Sequence, residues 1–218
     1  MARVYSKTRS TQERRAIVLN FQPNYTDKAI EHHAIQTLKQ YKDGKLLTGS
    51  PSAIPIEDIV EFCYGLSVEY LSLRNDGRVL GQTVFEDSLV PIYTKEVGYT
   101  VLPMKGKTII LDTSLLQPQM CNRARFTLAH ELAHWILHKE YFIRVRENAA
   151  NIKSQNHSDK IERQADKLAG AILMPMVLLK RAAYGLGKTN NPIKELAKLF
   201  QVSEQAMTIR MQGHSFLL

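Results

Sequence analysis

The chain has 218 residues, enough for one full core with at most a small appendage. Apolar residues make up 44% and charged residues 23%, as in a soluble globular protein, and no apolar run approaches the roughly 18 residues a membrane span needs. The net charge of +8 is concentrated at the start, where Arg3, Lys7, Arg9, Arg14 and Arg15 face the single acid Glu13.

The opening MARVYSKTRSTQERR has no apolar segment of the kind that directs secretion, so a cytoplasmic protein is expected. Residues 1–25 read as a basic, flexible arm able to touch nucleic acid or an acidic partner. The two cysteines, Cys63 and Cys121, suggest no disulfide framework and read as buried thiols in a reducing compartment.

Residues 27–42 place Ile30, Ala34, Ile35, Leu38 and Tyr41 at helical spacing, and Asp43-Gly44 ends that helix. GSPSAIP (49–55) is a loop, and IEDIVEFCYG predicts a second helix ending at Gly65. SVEYLSL alternates with period two, as a strand does. The runs VLGQTVF, LVPIYT, GYTVLP and KTIILD between 78 and 112 predict a small antiparallel sheet. From Gln117 onward the pattern is helical: one long helix through His138, one over 158–174, one with Pro175 in its first turn, and two short helices at the end. Helices, a compact sheet, then helices make an α+β fold.

RARFTLAHELAHWILHKE (123–140) is apolar yet carries three histidines. On a helix His130 and His134 lie within about 40° and about 6 Å of each other, so their imidazoles can converge on one zinc ion. Glu131 lies about 100° round the helix, off the metal axis but within reach of a metal-bound water as general base. His138 continues the spacing, but about 12 Å of rise separates it from His130, too far for one ion. It reads instead as a satisfied histidine near the helix C-terminus.

A third ligand is expected from IERQADKLAGAILMP (161–175), where Glu162 and Asp166 share one helical face. Ala129 and Ala133 on one helix, with Ala165, Ala169 and Gly170 on the other, would let the two approach closely. Glu162 would then reach the zinc, and Asp166 would accept the Nδ1 hydrogen of a ligand histidine.

The helix RARFTLAHELAHWILH followed by ERQADKLAGAILMP resembles the ImmA/IrrE family of metallopeptidases, and the resemblance extends over about residues 26–211. It implies a gluzincin-like core: His130, His134 and Glu162 on Zn2+, Glu131 as catalytic base, and Asp166 as orienter. It further implies a domain over 26–186, followed by a helix-turn-helix-like hairpin over 187–218. The family's longer members carry a C-terminal sensor domain, for which this chain ends too early. The implied substrate is a helix-turn-helix transcriptional repressor, cleaved to switch on mobile-element or stress-response genes.

The alternative is a non-catalytic zinc-containing regulator, or a toxin/antitoxin-type partner, acting by binding. Tyr141, His157 and His214 are candidates for stabilising the oxyanion. In NPIKELAKLFQVSEQAMTIRM (191–211), Leu196, Ala197 and Phe200 are expected to pack on Ala206, Ile209 and Met211, with Ser203 as cap. Gln201 stands where such turns commonly have glycine. A DNA contact would rest on the basic arm or on Gln205, Thr208 and Arg210, which is a thin reading surface.

Overall fold

The structure is a computed structural model that describes residues 22–74, 76–148, 159–187 and 189–212. Eight α-helices and five strands lie among these residues, in an α+β arrangement. The basic residues of the arm, together with His157 and His214, lie outside the described residues.

Helix α1 (Asp27–Gln40) starts at Thr26, whose hydroxyl accepts from the Ala29 amide, and it buries Ile30, Ala34 and Leu38. Asp43 and Gly44 turn the chain with left-handed backbone (φ 54° and 74°), as the Asp-Gly pair predicts. A one-turn helix α2 (Lys45–Thr48) follows, which the sequence does not signal. The second predicted helix is present but unusual. One α-helical turn, α3 (Ile56–Asp58), widens into a π-helical turn over Ile59–Cys63 that buries Ile59 and Val60.

The sheet corrects the sequence-based expectation. Strands β1 (Ser67–Leu71), β2 (Gly81–Val84) and β5 (Thr108–Asp112) form a mixed sheet in the order β1-β5-β2. β5 runs parallel to β1 and antiparallel to β2. The unbroken apolar run of KTIILD belongs to the central strand, and β5 is buried along its whole length. Strands β3 (Ser88–Thr94) and β4 (Gly98–Met104) pair with each other as a separate antiparallel ribbon.

Helix α4 (Cys121–Asn148) is about 42 Å long and runs well beyond His138. Its extension is held by Phe142, which stacks on Phe85 with centroids 5.1 Å apart. His138 is therefore mid-helix and cannot owe its place to a helix C-terminus. Helix α5 (Asp159–Leu173) packs against α4 and α1, and Ala129, Ala133, Ala165 and Ala169 are all fully buried. Small residues on both helices permit that approach.

Helix α6 (Met176–Gly185) follows directly, with Pro175 at its N-cap. The end of the described chain is α7 (Pro192–Phe200) and α8 (Glu204–Met211), with Ser203 capping α8 through the Ala206 amide. Leu196, Ala197 and Phe200 are buried as expected, but Met207, not Ile209, completes the packing, and Ile209 is 59% exposed. The thiols also depart from expectation: Cys121, the first residue of α4, is exposed and Cys63 is half-buried. Among the described residues no single helix is long and apolar enough to cross a membrane.

Candidate metal centre and active-site cleft

Leu128, Ala129, Leu132 and Ala133 bury one side of α4 in the core, and this fixes the rotation that turns His130 and His134 toward α5. From α5, Glu162 reaches across. The His130 Nε2, His134 Nε2 and Glu162 Oε2 atoms form a triangle with edges of 3.0, 3.3 and 3.6 Å. Three ligands of a tetrahedral ion at 2.0–2.1 Å are separated by about 3.3 Å, so the donor set fits a metal in both chemistry and size.

Asp166, one turn beyond Glu162, places Oδ1 2.9 Å from His130 Nδ1. That contact fixes which ring nitrogen of His130 carries hydrogen and leaves Nε2 to face the triangle. Burial pushes the His130 imidazolium down. Asp166, Glu162 and the charge of Glu131 together outweigh that and raise its pKa to about 10. His130, then His134, hold the Glu162 carboxyl well below the usual carboxylate range. Without a metal, a proton on His130 does the work of a cation between two carboxylates.

Glu131 is buried, on the side of α4 that meets β2. The Thr83 hydroxyl lies 2.7 Å from Glu131 Oε2 and 2.9 Å from the Glu131 carbonyl, so its one hydrogen is shared between them. Gly81 completes the seat: a Cβ there would come within 2.6 Å of Glu131 Oε1 and 2.8 Å of Thr127 Cγ2. Neither Thr83 nor Gly81 was singled out from sequence. The signal available was a glycine inside the β-rich run VLGQTVF, which marks close approach of another element.

His138 is fully buried and stays out of the triangle, as the helical rise requires. Its Nδ1 lies 3.2 Å from His134 Nδ1 and its Nε2 lies 3.4 Å from Gln164 Oε1. Burial, reinforced by the neighbouring His134, lowers its pKa to about 4. Tyr141, the described one of the three oxyanion candidates, packs edge-on against Phe142, which itself lines the cleft.

The triangle and Glu131 open into a cleft of about 2250 Å³. It is lined by β2, an edge strand of its sheet, and by residues of α1, α5 and α8. Arg210 of α8 is engaged within that lining. Its Nε donates to the Met174 carbonyl at 3.0 Å, and its guanidinium pairs with Glu31 of α1.

Residues 78–212 match the IrrE N-terminal-like domain of the peptidase family M78. The chain belongs to this family. The match spans β2 to α8 and so includes both helices of the donor triangle. It confirms the resemblance drawn from the two helical motifs and makes the chain a member of a metallopeptidase family. No curated protein matches the chain significantly. A solved structure, a Mycobacterium tuberculosis transcriptional regulator, is 16% identical with a TM-score of 0.48, over 95% of this chain and 54% of that one. The chain thus spans about half the length of that regulator.

Proposed function

We propose that the chain is a zinc-dependent endopeptidase that cleaves a helix-turn-helix transcriptional repressor in the cytoplasm, so releasing mobile-element or stress-response genes. The observation that carries the peptidase reading is the donor triangle of His130, His134 and Glu162 beside a seated Glu131. A cleft of about 2250 Å³ exceeds the 300–1,000 Å³ typical of small-ligand sites and suits a polypeptide. The edge strand β2 offers unpaired backbone groups to an extended segment. The repressor as substrate rests on the ImmA/IrrE resemblance.

His130, His134 and Glu162 would hold the ion, which when bound supplies polarisation of the scissile carbonyl and a lowered pKa for the attacking water. Asp166 keeps His130 in the tautomer that leaves Nε2 bare. Glu131, steadied by Thr83, takes the water proton and passes it to the leaving amine nitrogen. Engagement of Arg210 by Glu31 and Met174 argues against DNA reading by α8, because it removes the one cation offered there.

The test pairs two variants with wild type. Glu131→Gln should retain metal and lose cleavage of the repressor, and Glu162→Ala should lose most metal by mass spectrometry. Full cleavage by Glu131→Gln would sink the mechanism. Equal derepression by Glu131→Gln and wild type in a reporter strain would favour a regulator that acts by binding.

A further inference from the structure

We infer that His138 is a positioning residue for the metal centre, holding His134 in the tautomer that presents Nε2 to an ion, and that the Pro23 carbonyl sets the direction of the relay. This rests on the metallopeptidase reading but follows from a separate set of contacts.

The deduction starts at the end farthest from the triangle. The Pro23 carbonyl can only accept a hydrogen bond, and Gln164 Nε2 lies 3.0 Å from it. The amide of Gln164 is thereby oriented, with its NH2 toward Pro23 and Oε1 toward His138. Oε1 can only accept, so His138 Nε2, 3.4 Å away, carries the hydrogen.

His138 is fully buried; its hydrogen-bond partners are His134 and Gln164, and its ring neighbours include Tyr25 and Phe142. A second proton would place an imidazolium there with no carboxylate bonded to it, a costly arrangement. His138 is therefore neutral, with a bare Nδ1. That lone pair faces His134 Nδ1 at 3.2 Å, so His134 must donate from Nδ1. Its Nε2, the atom in the donor triangle, is left with a free lone pair.

The two ligand histidines are thus oriented by different devices. His130 leans on the carboxylate Asp166, whose side chain is 58% exposed. His134 leans on a buried, uncharged chain of His138, Gln164 and a backbone carbonyl. Pro23 lies upstream of the family match at 78–212, so the relay ends on a residue that the family domain does not contain. The adjoining segment is fastened as well, since the Tyr25 hydroxyl donates to the Leu137 carbonyl at 3.1 Å.

Substitution at 138 separates the role of Nδ1 from that of bulk. An asparagine Oδ1 occupies nearly the place of a histidine Nδ1, so His138→Asn keeps an acceptor for His134, whereas His138→Leu removes it. Zinc affinity, measured by chelator competition on full-length protein, should fall roughly 10–100-fold in His138→Leu. In His138→Asn it should return to within a few-fold of wild type. Circular dichroism checks that each variant is folded. Where His138→Leu does not fold, the near-isosteric Gln164→Met takes its place and should show a smaller loss.

The tautomers are read directly by 15N-histidine NMR. In metal-free wild type His138 should carry its hydrogen on Nε2, and in the zinc-loaded protein His134 should carry its hydrogen on Nδ1. A His138 protonated at Nδ1, or folded Leu and Asn variants with equal affinity, overturns the role of His138 and leaves the metal reading standing. Wild type that takes up no Zn2+ or Co2+ overturns the metal reading and this role with it.

Discussion

Gly81→Ala is the smallest change that reaches Glu131, the glutamate proposed as base, without touching any residue of the donor triangle. The new methyl would start 2.6 Å from Glu131 Oε1 and 2.8 Å from both Glu131 Cγ and Thr127 Cγ2. Relief cannot come from the tip of the glutamate alone, because Cγ sits close to its root and Thr127 is buried beside it. Either β2 lifts from α4 or Glu131 leaves its rotamer and its bond to Thr83. Overpacking of this kind costs about 1–3 kcal/mol, which in a chain of this size lowers Tm by about 2–12 °C. Cleavage should fall well beyond what the lost stability explains, while zinc content stays near wild type, since none of the three donor atoms contacts Gly81. Calorimetry, metal analysis and a repressor-cleavage assay on one preparation would read all three. A Tm within about 1 °C of wild type with undiminished cleavage would refute the seat described for Glu131.

The raised pKa of His130 gives the metal-free protein a signed pH dependence. The stability it contributes is fully present below its unfolded value of 6.5 and is lost as pH rises through about 10, so denaturant midpoints should decline across that window. His130→Asn should lack this part of the decline, and identical slopes would contradict the assignment. Zinc uptake at neutral pH should release at least about one proton per ion, measurable in weakly buffered solution, because the metal displaces the His130 proton and acidifies its bound water. His138 acts oppositely: its pKa of about 4 means stability present above 6.5 and lost as pH falls through about 4. At the other end of the chain, Gln201 holds a left-handed backbone (φ 53°, ψ 52°) while Val202 N bonds back to the Ala197 carbonyl. Gln201→Gly should therefore stabilise the protein by about 0.5–1 kcal/mol, and a lower Tm would show that the turn is not strained.

The chemistry was more legible in the sequence than the architecture. His130 with His134, and Glu162 with Asp166, stand out as two pairs because helical periodicity turns spacing within each helix into distance, and the structure brings the two pairs together. Glu131 could be named, but its seat could not, because Thr83 and Gly81 reach it from a strand some fifty residues away. The sheet departs from the sequence-based expectation for a related reason. Short β runs separated by turn residues suggest a small antiparallel sheet, whereas the pairing brings the last strand, buried along its whole length, between the first two and parallel to one of them. The rise of the helix separates His138 from the donor triangle, while its link to Gln164 and Pro23 depends on packing between elements far apart in sequence.

Arg210 has a consequence for where the folding unit begins. It joins the last described helix to the end of α5 and to Glu31 on α1, while Ile30, Ala34 and Leu38 from the same face of α1 lie in the main core. Yet α1 precedes the segment by which the family is recognised. A fragment excised at residue 78 would keep every donor atom and lose the part of the cleft lining that α1 supplies, the acceptor that orients Gln164, and a share of the apolar surface that closes the interior. The segment that can be recognised is shorter than the segment that must fold together.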